Sequence, residues 1–196
     1  MAYGINSEDI KSAKISQILI LCNVIAFVIL NVILNDPQNN LEYVHMFAQE
    51  KDAVIRGEYW RLLSSIFLHW DIGHLINNMI GLLLYGTIIE LRFSKKFYIF
   101  TYIFCGLMGS LFTFLLTESE IFSAGASGAI FGLMGVSFII FSKRGKNIYY
   151  YGLFYIIYSL IYSLQPNIGF WSHLFGLISG LAIGYIYYGK MENFNN

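Results

Sequence analysis

Six stretches of this chain are almost free of charge and long enough to be membrane spans: about 15–34, 73–91, 97–116, 127–142, 147–164 and 170–188. A perpendicular helix needs about 20 residues to cross the hydrocarbon core, with about 17 as the lower limit. The fourth and fifth runs are therefore short. All six are uniformly apolar rather than alternating, which excludes barrel strands. Charged residues are 12% of the chain, against roughly 25% for a soluble domain. That leaves too little polar surface to cover a water-facing sphere, so a soluble globular enzyme is excluded. The expected class is an all-α polytopic membrane protein.

Pro37 and Pro166 both fall between apolar runs, where they interrupt no helix. Cys22 and Cys105 lie inside separate runs and read as small buried hydrophobes, not as a disulfide or a zinc site. No metal or other cofactor is implied. Twelve basic and twelve acidic residues cancel, which argues against nucleic acid as a partner. The first run follows a polar stretch with Glu8 and Asp9, lacks a small-residue cleavage pattern, and reads as a signal anchor.

Charge sets the expected orientation. With a cytoplasmic N-terminus, the inner segments hold Lys11, Lys14, Arg92, Lys95, Lys96, Lys143, Arg144, Lys146 and Lys190, nine of the twelve basic residues. Lys51, Arg56 and Arg61 remain outside, with most of the acids. The positive-inside rule then puts both termini in the cytoplasm. The expected organisation is a short segment 1–14, a six-helix domain 15–190 and a tail 191–196. One connection is long: 35–72 forms an outer loop with its own apolar and aromatic content, the mark of a functional segment lying in the membrane interface.

Polar side chains inside such a bundle are functional candidates, because burying them there is expensive. His74 and Asn78 stand four apart in the second run and share one helix face. Ser127 opens the fourth run and His173 the sixth. Singly, each has an ordinary explanation as a packing residue or as polar glue between helices. Depth separates the readings. Counting to the first inner cation at about 1.5 Å per residue puts Ser127 about 24 Å away, His173 about 26 Å, His74 about 27 Å and Asn78 about 21 Å. All four share one slab on the outer side.

The fourth run carries Gly128, Gly132 and Gly135, and the sixth carries Gly176, Gly180 and Gly184. Small residues at this spacing let two backbones approach closely, which would bring Ser127 and His173 together. Serine beside histidine is the minimum for an activated nucleophile. Donors for a developing oxyanion are also at hand: the Asn78 amide, a His74 ring N–H and the Ser127 backbone N–H. Asp71 reads as the N-cap of the second run and Glu90 as structural, so the reading is a dyad without a carboxylate.

These residues resemble the rhomboid intramembrane serine proteases along essentially the whole chain. Trp60-Arg61 matches the family's Trp-Arg pair in the first loop, and His74-Leu75-Ile76-Asn77-Asn78 matches His-x-x-x-Asn in the second helix. Gly125-Ala126-Ser127-Gly128 matches Gly-x-Ser-Gly, and His173-Leu174-Phe175-Gly176 with Gly180 matches His-x-x-Gly-x-x-x-Gly. The resemblance implies the basic six-helix form, with neither a cytosolic N-terminal domain nor a seventh helix. It implies Ser127 as nucleophile, His173 as general base, and His74, Asn78 and the Ser127 amide as oxyanion donors. Substrates would be single-pass membrane proteins in the lipid bilayer, cut near the outer face at small residues in easily unwound helices. The fifth helix would be the gate and the loop around Pro166 to Phe170 a cap. A bacterial member would sit in the plasma membrane. Two other expectations are a catalytically silent relative that handles membrane clients, and a small transporter; the intact dyad and the missing repeat symmetry count against them.

Overall fold

The chain's apolar runs form helices because no proline interrupts them and no water is available to compete for their backbone groups. The computed structural model describes residues 5–34, 43–118, 121–142, 146–165 and 168–195. Its long helices are α1 (Lys14–Ile33), α2 (Ile72–Glu90), α3 (Lys95–Leu116), α4 (Ser127–Ser142), α5 (Lys146–Tyr162) and α6 (Phe170–Asn195). Among the described residues, α1, α2, α3 and the Phe170–Tyr187 part of α6 are long and apolar enough to cross a membrane. The α4 helix is a shorter apolar one.

α4 is the central element. Its Gly128, Ala129, Ile130, Gly132, Leu133, Met134, Gly135, Val136 and Ser137 are all buried. Leu82 and Ile89 of α2 and Tyr98 and Tyr102 of α3 close over Leu133 and Val136 to make the main core. α6 lies against α4 backbone to backbone. A Cβ built on Gly176 would land on the Gly128 carbonyl oxygen, and one on Gly180 would land on that of Gly132, 2.6 Å from its carbon. One on Gly135 would come within 2.8 Å of Leu177 O and of Leu181 N. α5 is held far more loosely. Ile156 is its one buried residue among those described, set against Met134 and Leu177.

At the end of α2 away from His74, the Glu90 carboxylate accepts from the Ile15 and Ser16 backbone N–H groups at 2.8 and 2.9 Å and from the Ser16 hydroxyl at 2.9 Å. It satisfies otherwise unpaired donors at the start of α1 and carries a charge of the favourable sign for a helix N-terminus. Glu90 is therefore structural. α2 itself widens to a π-helical turn at Leu82–Gly86, where a Cβ on Gly86 would meet the Tyr98 hydroxyl and, at 2.8 Å, Ser16 Oγ. The extra residue in that turn shifts the register of the helix face.

The fifth helix ends at Tyr162, against an expected span end near 164, and the third starts at Lys95, against an expected 97. The part of α6 apolar enough to cross a membrane, Phe170–Tyr187, coincides with the expected span 170–188, and the helix continues beyond it to Asn195, through most of the expected tail 191–196. Apolar character ends near 188, yet residues 189–195 contain no proline, so the backbone ladder continues. Within the outer segment 35–72, residues 43–71 carry the short helices Tyr43–Phe47, Lys51–Ile55, Arg61–Ser64 and Ser65–Phe67. Residues 35–42 lie outside the described residues, as do Pro166 and Asn167 of the expected cap.

Candidate active site

The segment entering α4 is pinned at two points before it reaches Ser127. Ser123 and Gln49 exchange backbone hydrogen bonds of 2.9 and 2.8 Å, and the Gly125 N–H donates to Ser65 O at 2.9 Å. Gly125 has φ +143°, a conformation that side chains strain. Space excludes a side chain there too: its Cβ would lie 2.9 Å from His74 Nε2 and 3.6 Å from Ser127 Oγ. The Gly125 position thus lets the imidazole of α2 and the hydroxyl of α4 share one spot.

Asp71 caps α2 by accepting from the His74 N–H at 2.9 Å, which starts the helix so that His74 and Asn78 stand one above the other. Asn78 is 6% exposed, and its Nδ2 donates to His74 O at 3.0 Å. One amide hydrogen is engaged there and one is left to give. Ser127, His74, Asn78 and His173 all line a single cavity of about 1280 Å³.

His173 sits in the first turn of α6, its N–H donating to Gly169 O at 3.1 Å. Its ring lies flat on Phe131 of α4, with centroids 4.3 Å apart and planes 8° off parallel. Its Nδ1 is 2.6 Å from Ser163 Oγ. Nε2 is therefore the ring nitrogen open to other partners. Among the described residues no hydrogen bond joins Ser127 to His173. Such bonds are often long before a substrate binds and tighten in the complex.

The Trp60-Arg61 pair serves the outer segment instead. Arg61 is 9% exposed; its Nε donates to Glu58 at 2.7 Å, and its Nη1 to the His45 and Ala48 carbonyls at 2.7 and 2.8 Å. One guanidinium thereby stitches three turns of chain together, while Trp60 is exposed. Gly128, Gly176 and Gly180 form the α4–α6 contact described above.

Three participants escaped the reading of the sequence: Ser163, Phe131 and His69. His69 is fully buried just before α2, and neither ring nitrogen has a partner among the described residues. Its edge meets the His74 ring at 5.0 Å and 66°. Burial, and then the neighbouring His74, push its pKa down to about 3, against a smaller upward pull from Asp71. It is neutral at physiological pH, and it braces the imidazole that faces Ser127. Its only signal in the sequence is a second histidine five residues before His74. Among the described residues, no three His, Cys, Asp or Glu side chains gather where a metal ion could be held.

Known proteins are similar to this chain. The family model for the rhomboid domain matches residues 56–190. YdcA of Bacillus subtilis (strain 168), provisionally named a rhomboid protease, is 32% identical over 71% of this chain and 73% of its own length. Rhomboid protease GluP of the same organism is 30% identical over 89% of this chain but only 40% of its own length. The mitochondrial RHOMBOID-like protein 6 of Arabidopsis thaliana is 32% identical over 69% of this chain and 46% of its own. The chain thus spans about three quarters of the first relative and less than half of the other two. On the domain match, the identities and the apolar helices, this multi-pass helical membrane protein belongs to the rhomboid family.

Proposed function

We propose that this chain is an intramembrane serine endopeptidase that cleaves transmembrane helices of single-pass proteins near the outer face of the bilayer. The observation that carries the reading is the convergence of Ser127, His173, His74 and Asn78 on one cavity from three helices. Ser127 Oγ attacks the scissile carbonyl while His173 Nε2 takes its proton. The oxyanion receives hydrogen bonds from the free Asn78 amide hydrogen, a His74 N–H and the Ser127 backbone N–H. Collapse breaks the C–N bond as His173 returns the proton to the leaving amine, giving an acyl-enzyme. Water, deprotonated by His173, releases the acid and restores Ser127.

The remaining assignments belong to the same reading. Six spans cross the membrane, both termini are cytoplasmic, residues 15–190 form the protease domain, and a bacterial host would place it in the plasma membrane. α5 is the side through which a substrate helix enters, in line with its exposed aromatic faces. The competing reading is a catalytically silent family member that handles membrane clients.

The test is labelling by a fluorophosphonate in detergent alongside cleavage of an unstable transmembrane peptide. Wild type should label and cleave. Ser127→Ala and His173→Ala should each abolish cleavage, and the double variant should be no worse than either, because the dyad acts as one unit. A folded wild type inert to the probe and to several unstable helices would establish the silent reading.

A further inference from the structure

We infer that Ser163 is the positioning residue for His173, holding it as the Nδ1–H tautomer so that Nε2 carries the lone pair; this rests on the dyad reading above. The argument is a count of protons. A serine hydroxyl has one hydrogen to donate and lone pairs to accept with. Ser163 Oγ lies 2.7 Å from the Ser159 carbonyl oxygen and 2.6 Å from His173 Nδ1. The carbonyl has no hydrogen, so the 2.7 Å contact is attractive only if the hydroxyl hydrogen points along it. The oxygen then has only lone pairs to offer His173, and the 2.6 Å contact requires a hydrogen on Nδ1. The opposite tautomer would set lone pair against lone pair at one contact or the other.

Burial makes this arrangement decisive. Ser163 is 1% exposed and His173 8%, so no bulk water can relieve a mismatch, and an unpaired buried polar atom costs about 1–3 kcal/mol. The two constraints on the ring are complementary. Phe131 fixes its plane by stacking, and Ser163 fixes its rotation within that plane. The same bond also suits the intermediate. When Nε2 takes the proton from Ser127, Nδ1 keeps its own hydrogen and still donates to Ser163. Neither tautomer exchange nor ring flip is needed during a turnover.

Ser163 thus fills the orienting position that a buried carboxylate holds in a triad. A neutral hydroxyl supplies orientation without placing a charge among apolar helices, which would be expensive. It cannot stabilise the imidazolium by charge, so its removal should cost less than the loss of a triad aspartate.

The experiment reads the tautomer directly, by 15N NMR of histidine-labelled protein in detergent at mildly alkaline pH. His173→Gln identifies the resonances. Wild type should show a protonated Nδ1 and an unprotonated Nε2 at His173. A wild-type His173 protonated on Nε2 overturns the proposal, whatever the turnover. Among variants, Val and Thr have the same shape and differ in the hydroxyl. Ser163→Val should lose the tautomer preference and lower kcat roughly 10- to 100-fold with KM little changed, by analogy with the loss seen when the partner orienting a metal-bound histidine is removed. Ser163→Thr should recover both readouts relative to Val. Equal losses in two folded variants of unchanged tautomer would overturn the proposal. Should both misfold, Ser163→Ala and the wild-type spectrum decide it. A protonated Nδ1 in a protein that neither labels nor cleaves would support the pairing and remove the hydrolase reading alone.

Discussion

Gly180→Ala should inactivate this protein although it adds a single methyl group far from any reacting atom. The new Cβ would fall on the Gly132 carbonyl oxygen, 2.6 Å from its carbon and 2.7 Å from its Cα. These are backbone atoms of the central helix, so no side chain can swing aside. Ordinary carbon contacts begin near 3.5 Å, so α6 must back away from α4 by about 1 Å. His173 rides on α6 and Ser127 on α4, and a misplacement of about 1 Å can cost roughly 100-fold in rate. Overpacking of this kind also costs about 1–3 kcal/mol of stability. Gly184→Ala is the matched control: its Cβ would lie 3.1 Å from Val136 Cα and 3.2 Å from the Ile139 side chain, a few tenths of an ångström too close. The assay is cleavage of a fluorogenic transmembrane peptide, with thermal unfolding in the same detergent. Gly180→Ala should fall by two orders of magnitude and Gly184→Ala by less than tenfold. A Gly180→Ala protein with wild-type turnover and melting temperature would refute the packing argument.

Three further expectations follow from the site. Asn78→Ala removes one oxyanion donor and should lower kcat by about 100- to 1000-fold in a folded protein that still reacts with a fluorophosphonate; an unchanged rate would move the oxyanion elsewhere. His69, lowered to about 3 in the fold, titrates near 6.5 when unfolded, so the unfolded chain binds the proton first. Its contribution is whole above about pH 6.5 and declines as pH falls toward 3, the loss reaching about 3 kcal/mol by pH 4.5. His69→Phe should flatten that part of the profile of melting temperature against pH, and parallel wild-type and variant profiles would disprove it. Phe154 and Tyr158 are 70% and 56% exposed and stack on each other with centroids 6.5 Å apart; trimming both to alanine should speed cleavage of a transmembrane substrate and leave a small soluble ester unaffected. Parallel slowing of both substrates would place the entrance elsewhere.

What could be read from the sequence and what could not divide along physical lines. Apolar runs reveal helices because the membrane forces every backbone group to pair within its own segment. His74, Asn78, Ser127 and His173 stand out because a polar residue in such a run is costly. Ser163 gave no such signal: it follows Ser159 by four residues in Tyr-Ser-Leu-Ile-Tyr-Ser-Leu, a spacing that reads as two serines bonded back to their own helix. Its partner is on another helix, and no periodicity encodes that. The Glu90 carboxylate likewise finds its donors 75 and 74 residues away at the start of α1. The π-helical turn in α2 has no compositional mark; its last residue, Gly86, lies where a Cβ would meet the Tyr98 hydroxyl and Ser16. The end of α6 lay beyond the reach of that signal: apolar character marks where lipid ends, near Tyr187, whereas a helix ends where its backbone ladder stops, at Asn195.

The helices around the cavity are held with very unequal firmness, and the difference follows the chemistry. α4 and α6 meet through glycines with carbonyl oxygens where a Cβ would be, so Ser127 and His173 ride on one nearly rigid pair. α2 brings His74 and Asn78 against that pair through Gly81, whose Cβ would meet Ile130 at 3.0 Å, and through Leu82 in the main core. α5 touches this assembly through side chains, with Ile156 and Leu160 beside Met134 and Leu177, Tyr149 against Phe138 and, just past its end, Ser163 on His173. Separating α4 from α6 would break a backbone-to-backbone contact and displace both reacting groups. A shift of α5 by about 1 Å would stretch a 2.6 Å hydrogen bond past the range in which such bonds hold, at a net cost of about 1 kcal/mol. His173 would keep its place on Phe131 and, in the pairing inferred above, lose only the fixed choice of tautomer. If the chain is the intramembrane endopeptidase proposed above, a bundle that admits a helix from the lipid can open on the α5 side at the least expense to its chemistry.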